Sequence, residues 1–298
     1  MSEPYISRKL TEQYLDALVR RDPEASYFVM ENGLQQGLTP SELLVEVIAK
    51  AQIQIGELWH SGRLNIAEEH YATQISLSNM EKLRQRIQPS NKWGIRIAVS
   101  SIEGNSHYLG ARMVSDLFTL DGWDVDFLGP DTPVHDLVEF VRAGQHRLVA
   151  LSVTLKEDLL VSRQAVTELR RLPNPPHIIL GGYAVTTNAD DLEALDGVAI
   201  AMDGMTAIKQ SQDLFNLTRA PMDLTGYLVV MGNRIQEIRK TRGWNQDQLA
   251  QRAGLDRTYI SAVENGKQNI TLAAVLKLSE SLDIPLSQLL AEYANTPY

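Results

Sequence analysis

Between residues 92 and 220 the chain changes its hydrophobic period, and that change limits the folds open to it. Short apolar runs at Ile95–Ser100, Val125–Leu128, Leu148–Val153, Ile178–Leu180 and Val198–Met202 alternate with stretches of helical spacing. The helical stretches lie at about 107–121, 133–143, 156–171, 187–195 and 205–217. Strands joined by helix-length crossovers pair in parallel, so the expected core is a mostly parallel, flavodoxin-like (Rossmann-like) sheet covered by helices on both faces. Such sheets take their ligands beyond the carboxyl ends of the strands. His107, Ser152 and Gly181 all fall there.

The flanks read differently. Residues 1 to about 89 carry helical spacing only, as in Leu43, Leu44, Val47, Ile48, Ala51, Ile55 and Leu58. Thr39-Pro40-Ser41-Glu42 is a helix start, and a further helix is expected from Ile66 to about Ile87, after the Ser61-Gly62 break. Four helices in a bundle fit this length. Residues 218–228, with Pro221 and Gly226, read as a linker. Residues 229–293 are helical again, broken at Gly243, Gly254, Gly266 and Pro285, which predicts about five short helices. The expected fold is therefore multidomain, α and α/β: a helical bundle cap over residues 1–90, an α/β domain over 91–220 and an all-α domain over 229–298.

With 44% hydrophobic and 22% charged residues, the chain has a globular composition. It carries neither a signal-like start nor an apolar run of membrane-spanning length, so a cytoplasmic protein with no membrane partner is expected. The absence of cysteine excludes disulfides, thiolate metal centres and cysteine nucleophiles. The net charge of −9 argues against nucleic acid at first sight, but it is unevenly spread. From residue 229 onward 8 Lys and Arg face 7 Asp and Glu, a net +1, while the rest holds 20 against 30, a net −10.

Asn105-Ser106-His107-Tyr108-Leu109-Gly110 follows the first strand; 41 residues separate Gly110 from Ser152-Val153-Thr154, and 26 more separate Thr154 from Gly181-Gly182. A lone histidine after a strand is ordinarily a hydrogen-bonded loop residue, and a glycine pair ordinarily marks a turn. The combined spacing resembles the cobalamin-binding domain that takes its cofactor with the nucleotide tail extended. The resemblance implies that His107 replaces the cofactor's own base beneath cobalt. It places Gly110, Ser152, Thr154, Gly181 and Gly182 along the tail groove, where small residues are needed. Asn105 stands where an acidic residue is usual, and Thr154 where leucine is common. An Asn carbonyl can accept the imidazole N–H but brings no negative charge, which implies a weaker His–cobalt bond. Glu103 is the nearest acidic residue that could compensate.

The helical half carries a second pattern, Trp59-His60 followed by Glu69-His70 with nine residues between Trp59 and Glu69. This resembles the cap of CarH-type photoreceptors, and the likeness continues at Gly62, Ala67 and Gly129-Pro130-Asp131-Thr132-Pro133. It implies that Trp59 packs over an adenosyl group, Glu69 hydrogen-bonds it and His70 helps to position that side. His60 then matches the imidazole that can ligate cobalt from above once the organic group has left. The plainer reading is a core tryptophan and a surface Glu-His pair.

Residues 233–266 closely resemble the Cro/repressor (XRE) type of helix-turn-helix. Asn245 and Asp256 are expected to cap the two helices of the motif, with Gly254 in the turn. Leu249, Ala250, Ile260 and Val263 are expected to face inward, completed by Ile238, Leu272 and Leu276. The second helix should enter the major groove of double-stranded DNA, with Arg257, Thr258, Tyr259 and Ser261 reading bases. Gln246 is expected to contact the backbone or a base edge. Arg242, Arg252 and Lys267 are expected to neutralise phosphates.

Together these readings predict a non-enzymatic, cobalamin-dependent transcription regulator, sensing light through adenosylcobalamin. Weak positive charge per module implies a homo-oligomer, dimer or tetramer, on repeated half-sites of an operator. The alternatives are a corrinoid methyl-carrier protein of a methyltransferase system, which has no need of residues 229–293, and a regulator sensing cobalamin level rather than light.

Overall fold

The computed structural model describes residues 3–85, 92–105, 107–187, 197–217 and 224–284, together with Leu286 and Leu289. The helical cap is built from four rods. Helix α1 spans Glu3–Val19 and α2 spans Pro23–Gln35, the latter capped by the Asp22 carboxylate on the backbone N–H of Ala25. Helix α3 starts at Pro40–Glu42 inside a reciprocal Thr39–Glu42 capping box, passes through a π-helical stretch, Leu43–Ala49, and continues as Lys50–His60. Thr11 on α1 donates to the Glu46 carbonyl in that stretch at 2.7 Å. Helix α4 spans Ile66–Gln85; residues 86–91, where the expected end at Ile87 falls, lie outside the described residues.

The α/β unit follows with β1 (Arg96–Ser101), α5 (Leu109–Asp121), β2 (Asp124–Gly129), α6 (Val134–Gly144) and β3 (Leu148–Ser152). A 3-10 turn, Lys156–Asp158, leads into α7 (Leu159–Arg170), then β4 (His177–Gly181), α8 (Tyr183–Thr187), β5 (Val198–Ile200) and α9 (Gly204–Leu214). The helix expected over 187–195 falls almost wholly on residues 188–196, outside the described residues. All five strands are parallel, in the order β2-β1-β3-β4-β5. The order reverses between β1 and β3, the switch point at which open sheets form a ligand crevice.

Two apolar layers hold the sheet. On one face Ile97, Val99 and Leu148 join Phe118 and Trp123, and this cluster runs without a break into the cap through Tyr14, Met30, Leu43, Ile48, Ile55 and Met80. On the other, Val149, Leu151 and Ile178 pack against Leu137, Val141, Val166 and Leu169. Each fully buried Leu, Ile or Phe contributes about 1.5–3 kcal/mol. Cap and sheet therefore share one core.

The C-terminal unit comprises α10 (Leu224–Thr241), α11 (Gln246–Ala253), α12 (Arg257–Glu264) and α13 (Leu272–Ser281). Helix α10 begins inside the expected linker because Leu228 and Met231 pack on the core of this unit. Two core assignments are corrected. Leu272 and Leu276 are 62% and 43% exposed, because α13 buries the face carrying Ala274, Val275 and Leu278. No helix among the described residues is long and apolar enough to cross a membrane.

Candidate cofactor and DNA-binding sites

At the carboxyl edge of the sheet Ser101, Ser152 and Gly181 stand side by side in register. The chain leaves β1 and turns at Asn105, which is fully buried. Its Oδ1 accepts the backbone N–H of His107 at 2.7 Å and lies 3.2 Å from His107 Nδ1. A backbone N–H can only donate, so the amide oxygen faces it, and Nδ1 must carry the ring proton. The Nε2 lone pair of an exposed imidazole is left free, the state a metal requires.

Neighbouring loops grip this segment. Ser101 Oγ donates to the His107 carbonyl at 3.0 Å. Asp131, in a left-handed conformation (φ 53°), accepts the Gly104 N–H at 2.7 Å. Glu103 does not compensate for the missing acidic partner: its carboxylate accepts the Val134 N–H at 2.9 Å and so caps α6. The remaining Asn105 Nδ2 is buried with no partner among the described residues, a penalty of roughly 1–3 kcal/mol. Glu103 and Asp131 as loop anchors are not legible in the sequence, since each acts on a backbone group about 30 residues away, and the Ser101 bond to the His107 carbonyl depends on how the loop turns back on β1.

The small residues have geometric reasons. A Cβ on Gly181 would stand 3.3 Å from the Ala201 carbonyl, a tight approach, whereas one on Gly110, 3.6 Å from Ser152 Oγ, would make an ordinary contact. Gly182 has φ +103°, and a Cβ there would lie 2.4 Å from the Val153 carbonyl oxygen. Ser152 and Thr154 are both half-buried at the same edge. A free imidazole nitrogen on the loop that leaves a small-residue edge, with a buried Asn105 amide behind it, fits a cobalt corrinoid ligated from below.

On the cap, Trp59 and His60 end α3 with their rings in edge contact, centroids 4.5 Å apart. Trp59 is 36% exposed. His60 Nδ1 lies 2.8 Å from the Gly56 carbonyl, so here too Nε2 is left as the free nitrogen. Glu69 accepts the Thr73 hydroxyl at 3.0 Å, and exposed His70 lies 3.7 Å from its other oxygen. Between cap and sheet, Arg112 on α5 bonds Glu81 on α4 at 2.8 Å and Asp116 at 3.0 Å. Burial pushes the Asp116 carboxyl up to about 6, against the opposing pull of Arg112. The hydrogen bond from Arg84 holds Glu81 down at about 2.

In the C-terminal unit, Asn245 and Asp256 cap α11 and α12, and Gly254 closes α11 in the left-handed region. Leu249, Ala250, Ile260 and Val263 are buried as expected, and Ile238 packs partly buried beside them. Arg257 and Thr258 are exposed at the start of α12, while Tyr259 and Ser261 are half-buried. Arg257 Nε lies 3.5 Å from Asp247. Gln246 is half-buried and donates to Glu264 at 2.9 Å, so part of its amide is committed inward. Glu264 forms a buried pair with Arg239, a contact the sequence did not announce. Arg242 and Arg252 flank the Trp244 ring at 5.4 and 4.3 Å, and Lys267 is exposed.

Comparison with known proteins agrees with this division. Residues 95–209 match the family described as B12 binding domain, residues 10–84 a second family of that description, and residues 235–289 the family described as helix-turn-helix. Trimethylamine corrinoid protein 1 of Methanosarcina acetivorans is 24% identical over 182 residues, 59% of this chain and 84% of that protein. Control protein C.MunI of a Mycoplasma species is 40% identical over 62 residues, 20% of this chain and 84% of that protein. The structure of Methanosarcina barkeri monomethylamine corrinoid protein covers 70% of this chain and 99% of that one, with a TM-score of 0.60 and 17% identity, a likeness of fold. The chain is thus a fusion of B12-binding domains, one helical and one α/β, with a C-terminal helix-turn-helix domain of the XRE type.

Proposed function

We propose that this protein is a cobalamin-dependent transcription regulator that reads light through bound adenosylcobalamin. The observation that carries the reading is the Asn105–His107 geometry, an imidazole with its proton fixed on Nδ1 and Nε2 free, in the same chain as a DNA-reading helix. Bound adenosylcobalamin supplies a weak, photolabile carbon–cobalt bond. His107 would hold cobalt from beneath, while Gly110, Ser152, Thr154, Gly181 and Gly182 leave room for the tail. Trp59, Glu69 and His70 would cover and orient the adenosyl group, and His60 offers a second free imidazole nitrogen on the cap.

On the output side, Arg257, Thr258, Tyr259 and Ser261 would meet base edges, with Gln246 supporting them. Arg242, Arg252 and Lys267 would meet phosphates. A net +1 over this unit makes each copy a weak binder, so operator occupancy would depend on a homo-oligomer. A change in cap packing that alters assembly would then alter occupancy.

The test is an absorption spectrum of protein loaded with adenosylcobalamin in darkness, then under green light without oxygen, with particle size followed alongside. A light-driven spectral change together with a change in size is expected. An unchanged spectrum with operator binding that still responds to cobalamin would replace light by cofactor level. On the DNA side, Arg257→Ala should weaken operator binding about 10-fold and leave cofactor uptake intact. Undiminished operator affinity would remove Arg257 from the interface. The corrinoid-carrier reading is favoured by the 182 residues aligned with the trimethylamine corrinoid protein, and residues 235–289 set this chain apart from it.

A further inference from the structure

A line of polar side chains crosses the cap and draws on each of its four helices. It begins at Ser26 on α2, whose hydroxyl donates to the Pro23 carbonyl at 2.8 Å. Asn79 on α4 gives one amide proton to Ser26 Oγ at 2.9 Å and the other to the Tyr14 hydroxyl of α1 at 3.0 Å. Tyr14 donates in turn to Ser76 Oγ at 3.2 Å. Gln52 on α3 gives both amide protons to α4, to Ser76 Oγ at 2.6 Å and the Ala72 carbonyl at 3.1 Å. Its oxygen is thereby turned toward Thr73, 3.4 Å away, and Thr73 reaches Glu69 at 3.0 Å.

Ser26, Tyr14, Ser76 and Asn79 are buried, and burial pushes the Tyr14 phenol up to about 12, which keeps it a neutral donor. An apolar seam would hold a bundle at least as firmly; a satisfied polar one adds a fixed register between helices. Directions along the line leave little choice. Both amide protons of Asn79 and both of Gln52 are committed, so Thr73 sits at a junction with one hydroxyl proton and two acceptors, Glu69 Oε1 and Gln52 Oε1. Gln52 lies on the helix that ends in Trp59.

We infer that Thr73 is a positioning residue that holds the Glu69 carboxylate for an adenosyl group above cobalt, with the polar seam behind it fixing the α3–α4 register through Gln52. This rests on the cobalamin reading. Thr73 touches no cofactor in this scheme and acts through Glu69 alone. Gln52 Oε1, at 3.4 Å, is the longer of the two acceptors, so the Thr73 proton goes to Glu69 at 3.0 Å.

The experiment compares affinities for adenosylcobalamin and for hydroxocobalamin, which lacks the adenosyl group. Thr73→Val keeps the shape of the side chain and removes its proton; on the order of a 10-fold loss for adenosylcobalamin alone is expected. Thr73→Ser should restore it, and Thr73→Val should add nothing in a Glu69→Ala background, where the acceptor is gone. Equal losses for both corrinoids, or an additive loss in the double variant, would overturn the assignment. If Thr73→Val disturbs helix content in the cofactor-free protein, Thr73→Ala, which also removes the hydroxyl, carries the same comparison with the same expected outcome. Failure of the wild-type chain to bind either corrinoid would refute the cobalamin reading and this inference together, whereas binding of both with Thr73→Val unchanged would refute this inference alone.

Discussion

The two candidate faces for the cofactor are built in opposite ways. Beneath, the His107 segment is fastened by backbone groups: the His107 N–H to Asn105, the His107 carbonyl to Ser101, and the Gly104 N–H to Asp131. Glycines at 181 and 182 let backbone segments at the sheet edge approach closely. Above, Trp59 and His60 end α3, which the Gly62 N–H to the Trp59 carbonyl and the Arg63 N–H to the Leu58 carbonyl close at 2.9 Å, while the Glu69 carboxylate is met by the Thr73 and His70 side chains. A backbone-anchored loop presents its ligand in one position. A carboxylate held only by neighbouring side chains can turn without unfolding the domain. On the proposed reading, the lower face binds the cofactor and the upper one responds.

The sharpest way to break this contrast is a pair of glycine substitutions. Gly182→Ala places a methyl 2.4 Å from the Val153 carbonyl oxygen at φ +103°, so a loss of about 3 kcal/mol or more is expected in denaturant unfolding. A loss well under 1 kcal/mol would show the lower face to be as yielding as the upper.

Asp116 tests the junction between the faces. Its folded pKa of about 6 lies above its ordinary 3.8, so the folded state binds the proton more tightly. Stability from this group is fully present below 3.8 and lost as pH rises through 6, by on the order of 3 kcal/mol. Glu81 acts oppositely, since its stabilisation is lost only as pH falls from 4.5 toward 2. Asp116→Asn should therefore flatten the stability profile between about 4 and 6, measured by thermal melts across pH. An unaltered slope in the variant would dissociate it from Asp116.

Smaller effects refine the picture. Glu103→Ala removes the only side-chain cap seen at the start of α6 among the described residues, with about 1 kcal/mol of stability expected to go with it. Gly56 marks the other extreme: it lies within α3, and a Cβ there meets nothing within 4 Å. Gly56→Ala should stabilise the cofactor-free protein by about 0.5–1 kcal/mol. Destabilisation in the melt would mean that the upper face is more tightly packed than its geometry indicates.

Much of this was legible beforehand for identifiable reasons. Alternating periods give the parallel sheet, and parallel sheets put His107, Ser152 and Gly181 on one edge. Asn245, Gly254 and Asp256 mark helix ends by local chemistry that needs no tertiary context. What escaped is what depends on partners distant in sequence. Leu272 and Leu276 share helical spacing with Val275 and Leu278, and only packing decides which face is buried. Glu103 is near His107 in sequence, yet its carboxylate serves α6. The π-helical stretch follows no residue signal, and its Glu46 carbonyl is met by Thr11 from another helix. The polar seam behind Glu69 likewise assembles from four helices.

The central claim is that His107 Nε2 binds cobalt from beneath. The direct measurement is the electron paramagnetic resonance spectrum of the protein loaded with cob(II)alamin, with histidine either unlabelled or labelled with nitrogen-15. Ligation by His107 predicts that the axial nitrogen splitting changes from a triplet to a doublet on labelling, and that His107→Ala abolishes this isotope response. A triplet that persists in the labelled wild-type protein would mean that the cofactor's own base, and not this imidazole, occupies the lower position.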